Sequence, residues 1–226
     1  MAVVSHYDIT PVVDIFGAVE GRDLGAVSRE LAPIVERAKK DLPEGSQLRI
    51  RGQIQTMNAS YEGLLVGLAF SIMLVYFLIV VNFQSWLDPF IILMALPAAL
   101  AGIVWFLFVT KTTITVPALT GAIMCMGVAT ANSILVVSFS KERFEAGKTP
   151  SEAALEAGYT RFRPVLMTAL AMIMGMLPMS LGMGQGGEEN APLGRAVIGG
   201  LVFATAATLF FVPVFFSFIH ERLERK

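Results

Sequence analysis

Five apolar segments constrain this chain more than any other feature of its sequence. None of them has Asp, Glu, Lys, Arg or His in its interior. About 20 residues, rising 1.5 Å each, cross the roughly 30 Å hydrocarbon core of a membrane. Charged residues such as Glu62 and Asp88 lie at segment edges, where water or headgroups can solvate them. We predict an integral membrane α-helical bundle of five transmembrane helices, which cover residues 63–83, 89–109, 116–139, 164–183 and 196–219.

The composition excludes several classes of protein. The 226 residues are 55% apolar and 15% charged, with a net charge of −1 and one cysteine, Cys125. Soluble domains carry about 25% charged residues. A disordered chain, a disulfide scaffold and a nucleic-acid binder that relies on positive charge are therefore excluded. There is also no phosphate loop, nucleophile elbow or zinc-ligand spacing, and His6 and His220 are isolated in the sequence. We expect no enzymatic activity.

Basic residues predict the orientation in the membrane. The connection 140–163 carries Lys141, Arg143, Lys148, Arg161 and Arg163, and the tail carries Arg222, Arg225 and Lys226. The connection 184–194 on the opposite side has two glutamates and no basic residue before Arg195. We therefore expect a cytoplasmic C-terminus and a periplasmic segment 1–56. No export signal follows Met1, so we expect a C-terminal part of a longer polypeptide. The alternative is that segment 1–56 is short enough to cross the membrane without an export signal.

The N-terminal segment 1–56 has the pattern of a small α/β unit. Residues 11–19 and 47–52 alternate as strands do, and apolar residues repeat at helical spacing over 24–42, after a possible cap at Gly21-Arg22-Asp23. We predict a strand–helix–strand segment, half of a ferredoxin-like sandwich. The chain then has two domains. Residues 1–56 form a periplasmic segment, and residues 57–226 form the transmembrane domain. So few residues cannot bury enough surface to fold alone.

Local signals in the membrane region predict further features. Thr149-Pro150-Ser151-Glu152 forms a capping box, which predicts a short surface helix over 151–157 that Gly158 ends. Pro97, Pro178 and Pro213 predict kinks. Small residues four apart predict faces for close helix packing. These faces are Ala95/Ala99, Ala98/Gly102, Gly127/Ala131 and Ala196/Gly200/Ala204.

Two groups of polar residues could carry function. Asn132 lies near mid-membrane, flanked by Thr130 and Ser133. Such an amide needs a partner, either as a link between helices or as part of a proton or ion path. Arg161 and Thr168 are seven residues apart and share one helix face. Arg161 is either an anchor at the membrane edge or a group that reaches inward beside Thr168.

Other residues limit the possible chemistry. Six of the twelve methionines lie between Met167 and Met183. They either fill gaps between helices or line a path for a soft metal ion. A proton-coupled pump needs a protonatable acid within the membrane, and the five segments contain none.

Six stretches of the sequence carry a family pattern. They are Leu48-Arg49-Ile50-Arg51-Gly52, Phe83-Gln84-Ser85-Trp86 with Pro89, 127–135, Arg161-Phe162-Arg163-Pro164-Val165-Leu166-Met167-Thr168, Gly175-Met176-Leu177-Pro178 and Phe210-Phe211-Val212-Pro213-Val214-Phe215-Phe216. In these stretches, the sequence resembles the C-terminal end of a resistance-nodulation-division (RND) efflux permease of the hydrophobe/amphiphile type.

The resemblance implies a role and a set of partners. The five segments would be the last five of twelve, in a homotrimer of the inner membrane that is driven by the proton gradient and needs no other cofactor. The implied partners are the N-terminal half, a periplasmic adaptor and an outer-membrane channel.

The resemblance also implies site residues. Arg161 and Thr168 match members of the proton relay, with Asn132 and Thr130 as possible neighbours. Ala131 stands where many members carry a lysine, and the family's essential aspartates belong to the N-terminal half.

Three functions remain open at this point. The first is a part of an exporter of small amphiphilic compounds or drugs. The second is a heavy-metal cation exporter of the same family. The third is a stand-alone membrane assembly or interaction protein without transport activity. By itself, this chain should not transport, because its membrane segments lack a proton acceptor.

Overall fold

The computed structural model describes the whole chain except residues 1–4, 8–9, 21–23, 44, 185–186 and 225–226. The chain divides into two compact units, Met1–Asn58 and Ala59–Lys226. The possible helix cap at 21–23 and the basic residues Arg225 and Lys226 lie outside the described residues.

The first unit contains a short hairpin and a helix. Strand β1 (Ser5–Tyr7) pairs with the antiparallel strand β2 (Thr10–Val12), with Ser5 opposite Val12. Helix α1 follows at Leu24–Lys40, as its apolar repeat predicts, although no residue of α1 is buried.

The predicted strand–helix–strand arrangement is wrong. Only Pro11 and Val12 of the first predicted strand, 11–19, belong to a strand, β2, and no residue of the second, 47–52, does. Residues 13–20 and 46–51 have no regular structure, and Val13, Ile15 and Phe16 are each at least 90% exposed. A strand needs a neighbour to satisfy its backbone groups and to cover its apolar face. Alternating residues alone do not supply that neighbour, and among the described residues the only strands that pair are β1 and β2.

The second unit is a helical bundle. Within the part of the chain that the structure describes, five helical stretches are long and apolar enough to cross a membrane, which confirms the predicted five. The helices are α2 (Gln53–Phe83), α3 (Leu87–Leu93), α4 (Ala95–Val109), α5 (Val116–Glu145), α6 (Pro150–Ser180), α7 (Gly187–Ala206) and α8 (Val212–Glu224), with a π-helical turn at Ala207–Phe211 between α7 and α8.

Helix α6 begins much earlier than its apolar segment. The capping box is present: the Thr149 hydroxyl accepts from the Glu152 N–H, and the Glu152 carboxylate accepts from the Thr149 N–H. The separate surface helix ending at Gly158 is wrong, because α6 continues through Gly158 without a break. A glycine inside a helix costs only about 1 kcal/mol, and the buried Ala153, Ala154 and Ala157 hold this part of α6 against the bundle.

Two of the three prolines expected to kink helices lie beside an irregularity. Met94 separates α3 from α4 three residues before Pro97. The π-helical turn ends two residues before Pro213. Pro178 lies inside α6, which ends at Ser180. A proline lacks the N–H that continues a helix, so the backbone before it must adjust.

Helix α7 lies at the centre of the bundle and packs against α4, α5 and α6. Close approach depends on glycine: a methyl group at Gly199 would lie 2.8 Å from the carbonyl oxygen of Gly102 in α4. At Gly121 in α5, a methyl group would lie 2.8 Å from the carbonyl oxygen of Leu193. The faces predicted at Ala95/Ala99 and Ala196/Gly200/Ala204 are buried, but Gly127 and Ala131 are exposed.

Candidate functional site

Asn132 of α5 and Thr168 of α6 meet in the bundle. The Thr168 hydroxyl oxygen lies 3.4 Å from Asn132 Oδ1 and 2.9 Å from the backbone carbonyl oxygen of Val165, so its single hydrogen is donated mainly to Val165. Asn132 is 6% exposed, whereas Thr168 is open on one side. The contact between the two side chains is long for a hydrogen bond. Both groups therefore keep unused hydrogen-bonding capacity at the edge of the bundle.

Arg161 does not join this pair. Its guanidinium carbon lies 5.0 Å from the centre of the Phe139 ring, and that of Arg143 lies 4.7 Å from the same ring. Phe139 follows Asn132 by seven residues in α5, and Arg161 precedes Thr168 by seven in α6. The two contacts are therefore about 10 Å apart along the antiparallel helices. Arg161 and Thr168 therefore contact α5 at different levels.

The Arg161 guanidinium retains a free donor. Its Nε is buried and has no hydrogen-bond partner among the described residues. A buried guanidinium donor without an acceptor is costly, and a carboxylate is its best partner. Arg163, two residues later, is fully on the exposed side of α6. The two arginines of this motif are therefore in different environments.

One side of α5 is uncovered along most of its length. We call it the open face of α5; at three- and four-residue spacing it comprises Thr120, Met124, Gly127, Ala131, Leu135, Ser138 and Glu142. No atom of the described residues lies within 4 Å of a methyl group built at Gly127. Ala131 therefore places a small apolar side chain on this face, directly before Asn132.

The flanking hydroxyl groups point elsewhere. The Thr130 hydroxyl donates to the Met126 carbonyl at 2.8 Å, one turn earlier in α5, and it is buried. Ser133 forms a 2.9 Å hydrogen bond with Thr208 of the π-helical turn. The structure therefore brings Asn132 and Thr168 together but not Thr130.

A cluster of charged residues that the sequence reasoning missed lies where α2 turns into α3. Asp88 is 2% exposed, not solvated at a membrane edge as predicted. Lys141 of α5 donates to Asp88 Oδ2 at 3.1 Å and to the Phe83 carbonyl at 3.0 Å. His220, which looked isolated, has its Nε2 3.7 Å from Asp88 Oδ1.

The same histidine is fixed by aromatic and backbone contacts. Its ring stacks on Phe216 with centroids 4.1 Å apart, and its Nδ1 lies 3.1 Å from the Phe216 carbonyl oxygen. A carbonyl can only accept, so Nδ1 carries a hydrogen and Nε2 faces the carboxylate. The only signal in the sequence was an aspartate at a segment edge, which does not reveal burial.

A metal site is not evident in the described residues. They contain no group of three or more His, Cys, Asp or Glu side chains that could hold an ion. Met167, Met174 and Met183 of the methionine-rich stretch are each at least 66% exposed. Met172 and Met176 of the same stretch pack against the buried core, as the gap-filling interpretation expects, whereas these three do not.

Comparison with known proteins places the chain in a family. The model of the AcrB/AcrD/AcrF family matches residues 2–220. The nickel-cobalt-cadmium resistance protein NccA of Alcaligenes xylosoxydans xylosoxydans is 34% identical over 92% of this chain and 19% of its own length. The swarming motility protein SwrC of Bacillus subtilis is 32% identical over 99% of this chain and 21% of its own.

Other relatives include drug and solvent pumps. The toluene efflux pump membrane transporter TtgB of Pseudomonas putida is 31% identical over 94% of this chain and 20% of its own length. A crystal structure of a heavy metal efflux pump matches with a TM-score of 0.73 and 30% identity, over 89% of this chain and 20% of that one. The chain spans about a fifth of the length of these relatives. On this match across nearly all of its residues, the chain belongs to the AcrB/AcrD/AcrF family of RND efflux transporters.

Proposed function

We propose that this chain supplies one side of the proton relay in an inner-membrane RND permease that exports small amphiphilic compounds in exchange for protons. The observation that carries the proposal is the arrangement beside the open face of α5. There the Asn132–Thr168 pair lies at one level, and two turns away the buried Nε of Arg161 has no hydrogen-bond partner among the residues that the structure describes. Polar side chains within a membrane cost free energy, so they usually pair with other groups or belong to a functional pathway.

The missing partner would be a carboxylate. The five apolar stretches of this chain offer no acid beside Arg161, so the acid must come from another part of the permease. By family resemblance, the N-terminal half carries the essential aspartates. A carboxylate near Arg161 could be charged in one state and protonated in the other, which changes its attraction to the guanidinium.

Ala131 affects the charge balance of such a relay. Many members of the family carry a lysine at this position, directly before the asparagine. In this chain, the exposed methyl group of Ala131 brings no charge to the open face. Arg143 lies over the same ring as Arg161, but its Nε is 3.5 Å from a carboxylate oxygen of Glu156. We therefore assign the permanent positive charge of the relay to Arg161, which makes this arginine more important here than in relatives with both cations.

The family also guides the proposed assembly. We place the C-terminus and the α5–α6 turn in the cytoplasm and residues 1–56 in the periplasm, following the basic residues. The permease would work as a homotrimer with a periplasmic adaptor and an outer-membrane channel, as RND pumps generally do.

Export of heavy-metal cations is the second candidate. It is favoured by the resemblance to the nickel, cobalt and cadmium resistance protein NccA and to the heavy metal efflux pump. Met167 and Met174 are seven residues apart on α6, and both are exposed, so their thioethers could meet a soft cation. Substitution of both by leucine should reduce metal resistance and leave drug resistance unchanged if metal is the substrate.

The test uses the permease that contains this sequence, in cells without other exporters. Arg161→Ala should abolish resistance to amphiphilic drugs, at an unchanged amount of protein in the membrane. The matched control is Arg163→Ala, because Arg163 carries the same charge on the exposed side of α6. Full resistance in the Arg161→Ala strain would contradict the relay assignment.

The third function, an assembly protein without transport, makes a different forecast. It requires that resistance stays unchanged in the Arg161→Ala and Arg163→Ala strains and also in a strain from which the whole permease is deleted. Proton-dependent efflux by the purified 226-residue chain in liposomes would also contradict our proposal, because none of the five apolar segments has a carboxylate in its interior.

A further inference from the structure

The π-helical turn at Ala207–Phe211 lies beside a group of buried hydroxyls. Thr208 and Ser133 are both completely buried, and their hydroxyl oxygens are 2.9 Å apart. Thr205 is 8% exposed, and its hydroxyl has no hydrogen-bond partner in the described part of the chain. Residues three apart in a helix share a face, so Thr205 and Thr208 point to the same side.

The backbone hydrogen bonds change register at this turn. The Val212 N–H donates to the Ala207 carbonyl, five residues back instead of four. In this register, the carbonyl of Thr208 would receive its hydrogen bond from residue 213, which is a proline and has no N–H. The Thr208 carbonyl therefore needs a donor from outside the helix.

The hydroxyl groups need hydrogen-bond acceptors, whereas the Thr208 carbonyl needs a donor. In the Ser133–Thr208 pair, one hydroxyl donates to the other, and the second keeps a hydrogen that has no acceptor within the pair. The Thr205 hydroxyl adds another hydrogen for which the described residues supply no acceptor. A single water molecule can accept from two hydroxyls and donate to a carbonyl, and buried waters in proteins typically make about three hydrogen bonds.

Helices α5 and α7 pack against each other at this level. Gly200 approaches Cys125, and Thr208 contacts Ser133; the two residues of each pair are 75 positions apart in the sequence. Because this separation is the same for both pairs, α5 and α7 run parallel. At that offset, Thr205 is level with Thr130. The neighbouring side chains on both helices are small, since Ala129, Ala204 and Ala207 are buried alanines.

We propose that the π-helical turn binds one water molecule, held by the hydroxyls of Thr205 and of the Ser133–Thr208 pair and by the Thr208 carbonyl. This site joins α5 to the last membrane-spanning stretch, at the residue directly after Asn132. It depends only on the geometry of this chain and not on the proposed transport function.

The test is made on the purified chain in lipid nanodiscs. Water-edited solid-state NMR with threonine labelled at its methyl group should show magnetisation transfer from immobile water to Thr205 and Thr208. Thr205→Val should remove the transfer to Thr208, and Thr205→Ser should keep it. Thr120→Val is the matched control, because Thr120 lies on the open face of α5 and bonds only one turn back in its own helix.

The stability of the Thr205→Val protein is a second measurement. The direction in which it changes distinguishes a water-bridged network from a buried hydroxyl without a partner. If water bridges these groups, Thr205→Val breaks a hydrogen-bonded network, and the equilibrium constant for unfolding should rise roughly fivefold. If Thr205 is only a buried hydroxyl without a partner, valine of nearly the same shape should make unfolding less favourable. A stabilised Thr205→Val protein, or no water transfer in the parent protein, would overturn the proposal.

Discussion

Gly199→Ala tests the tight contact between α7 and α4. The added methyl group would lie 2.8 Å from the Gly102 carbonyl oxygen, where ordinary contacts begin at 3.4 Å, so the helices must separate by at least 0.6 Å. It would lie even closer to Cβ of Phe106. Both obstacles belong to the helix backbone or its first side-chain atom, so neither can rotate away. We therefore expect the contact between the two helices to loosen.

The magnitude follows from two opposing effects. Overpacking a buried site costs about 1–3 kcal/mol, and the rigid obstacles favour the upper end of that range. Alanine is a better helix former than glycine by about 1 kcal/mol, which offsets part of the loss. We expect the free energy of unfolding to fall by about 2 kcal/mol.

The assay is reversible unfolding in mixed micelles with a rising fraction of denaturing detergent. Gly127→Ala is the control, because a methyl group there meets no atom of the described residues within 4 Å. That variant should gain up to about 1 kcal/mol from helix propensity alone. Equal effects of the two substitutions would refute the reasoning, because only packing separates the two sites.

Two further outcomes are expected. Lys141→Met removes the cation 3.1 Å from the buried Asp88 carboxylate. Because Lys141 is 28% exposed, the loss of unfolding free energy should be about 2 kcal/mol, below that of a fully buried pair, and adding Asp88→Asn should recover part of it in the same unfolding assay. Thr149→Ala removes the hydroxyl that accepts from Glu152, so the first turn of α6 should lose about 1 kcal/mol, seen as faster amide exchange there. Ser151→Ala, at an exposed position in the same turn, should leave that exchange unchanged.

Features that depend on composition or on neighbouring residues could be predicted from the sequence. The five membrane-spanning stretches follow from apolar length alone, because lipid leaves a helix as the only way for one segment to satisfy its backbone. The capping box at Thr149 is equally local, since its partner is three residues away. The amphipathic repeat of α1 was also sufficient to place that helix.

The candidate site was only partly accessible from the sequence. Spacing put Arg161 and Thr168 on one face of α6, but it could not show that their partners in α5 are Phe139 and Asn132. Those contacts depend on the register between two helices, which no spacing within one helix determines.

The sequence by itself therefore determined the class of protein: a bundle of membrane-spanning helices with polar residues in two of them. The tertiary structure decided which small residues are packed, since Gly199 touches α4 while Gly127 remains open. It also decided that Asp88 is buried with Lys141 and His220, and that most of the two predicted strands has no partner strand among the described residues. The physical reason is the same in each case. Burial and pairing depend on residues far apart in the chain, whereas helix formation in an apolar segment depends only on the segment itself.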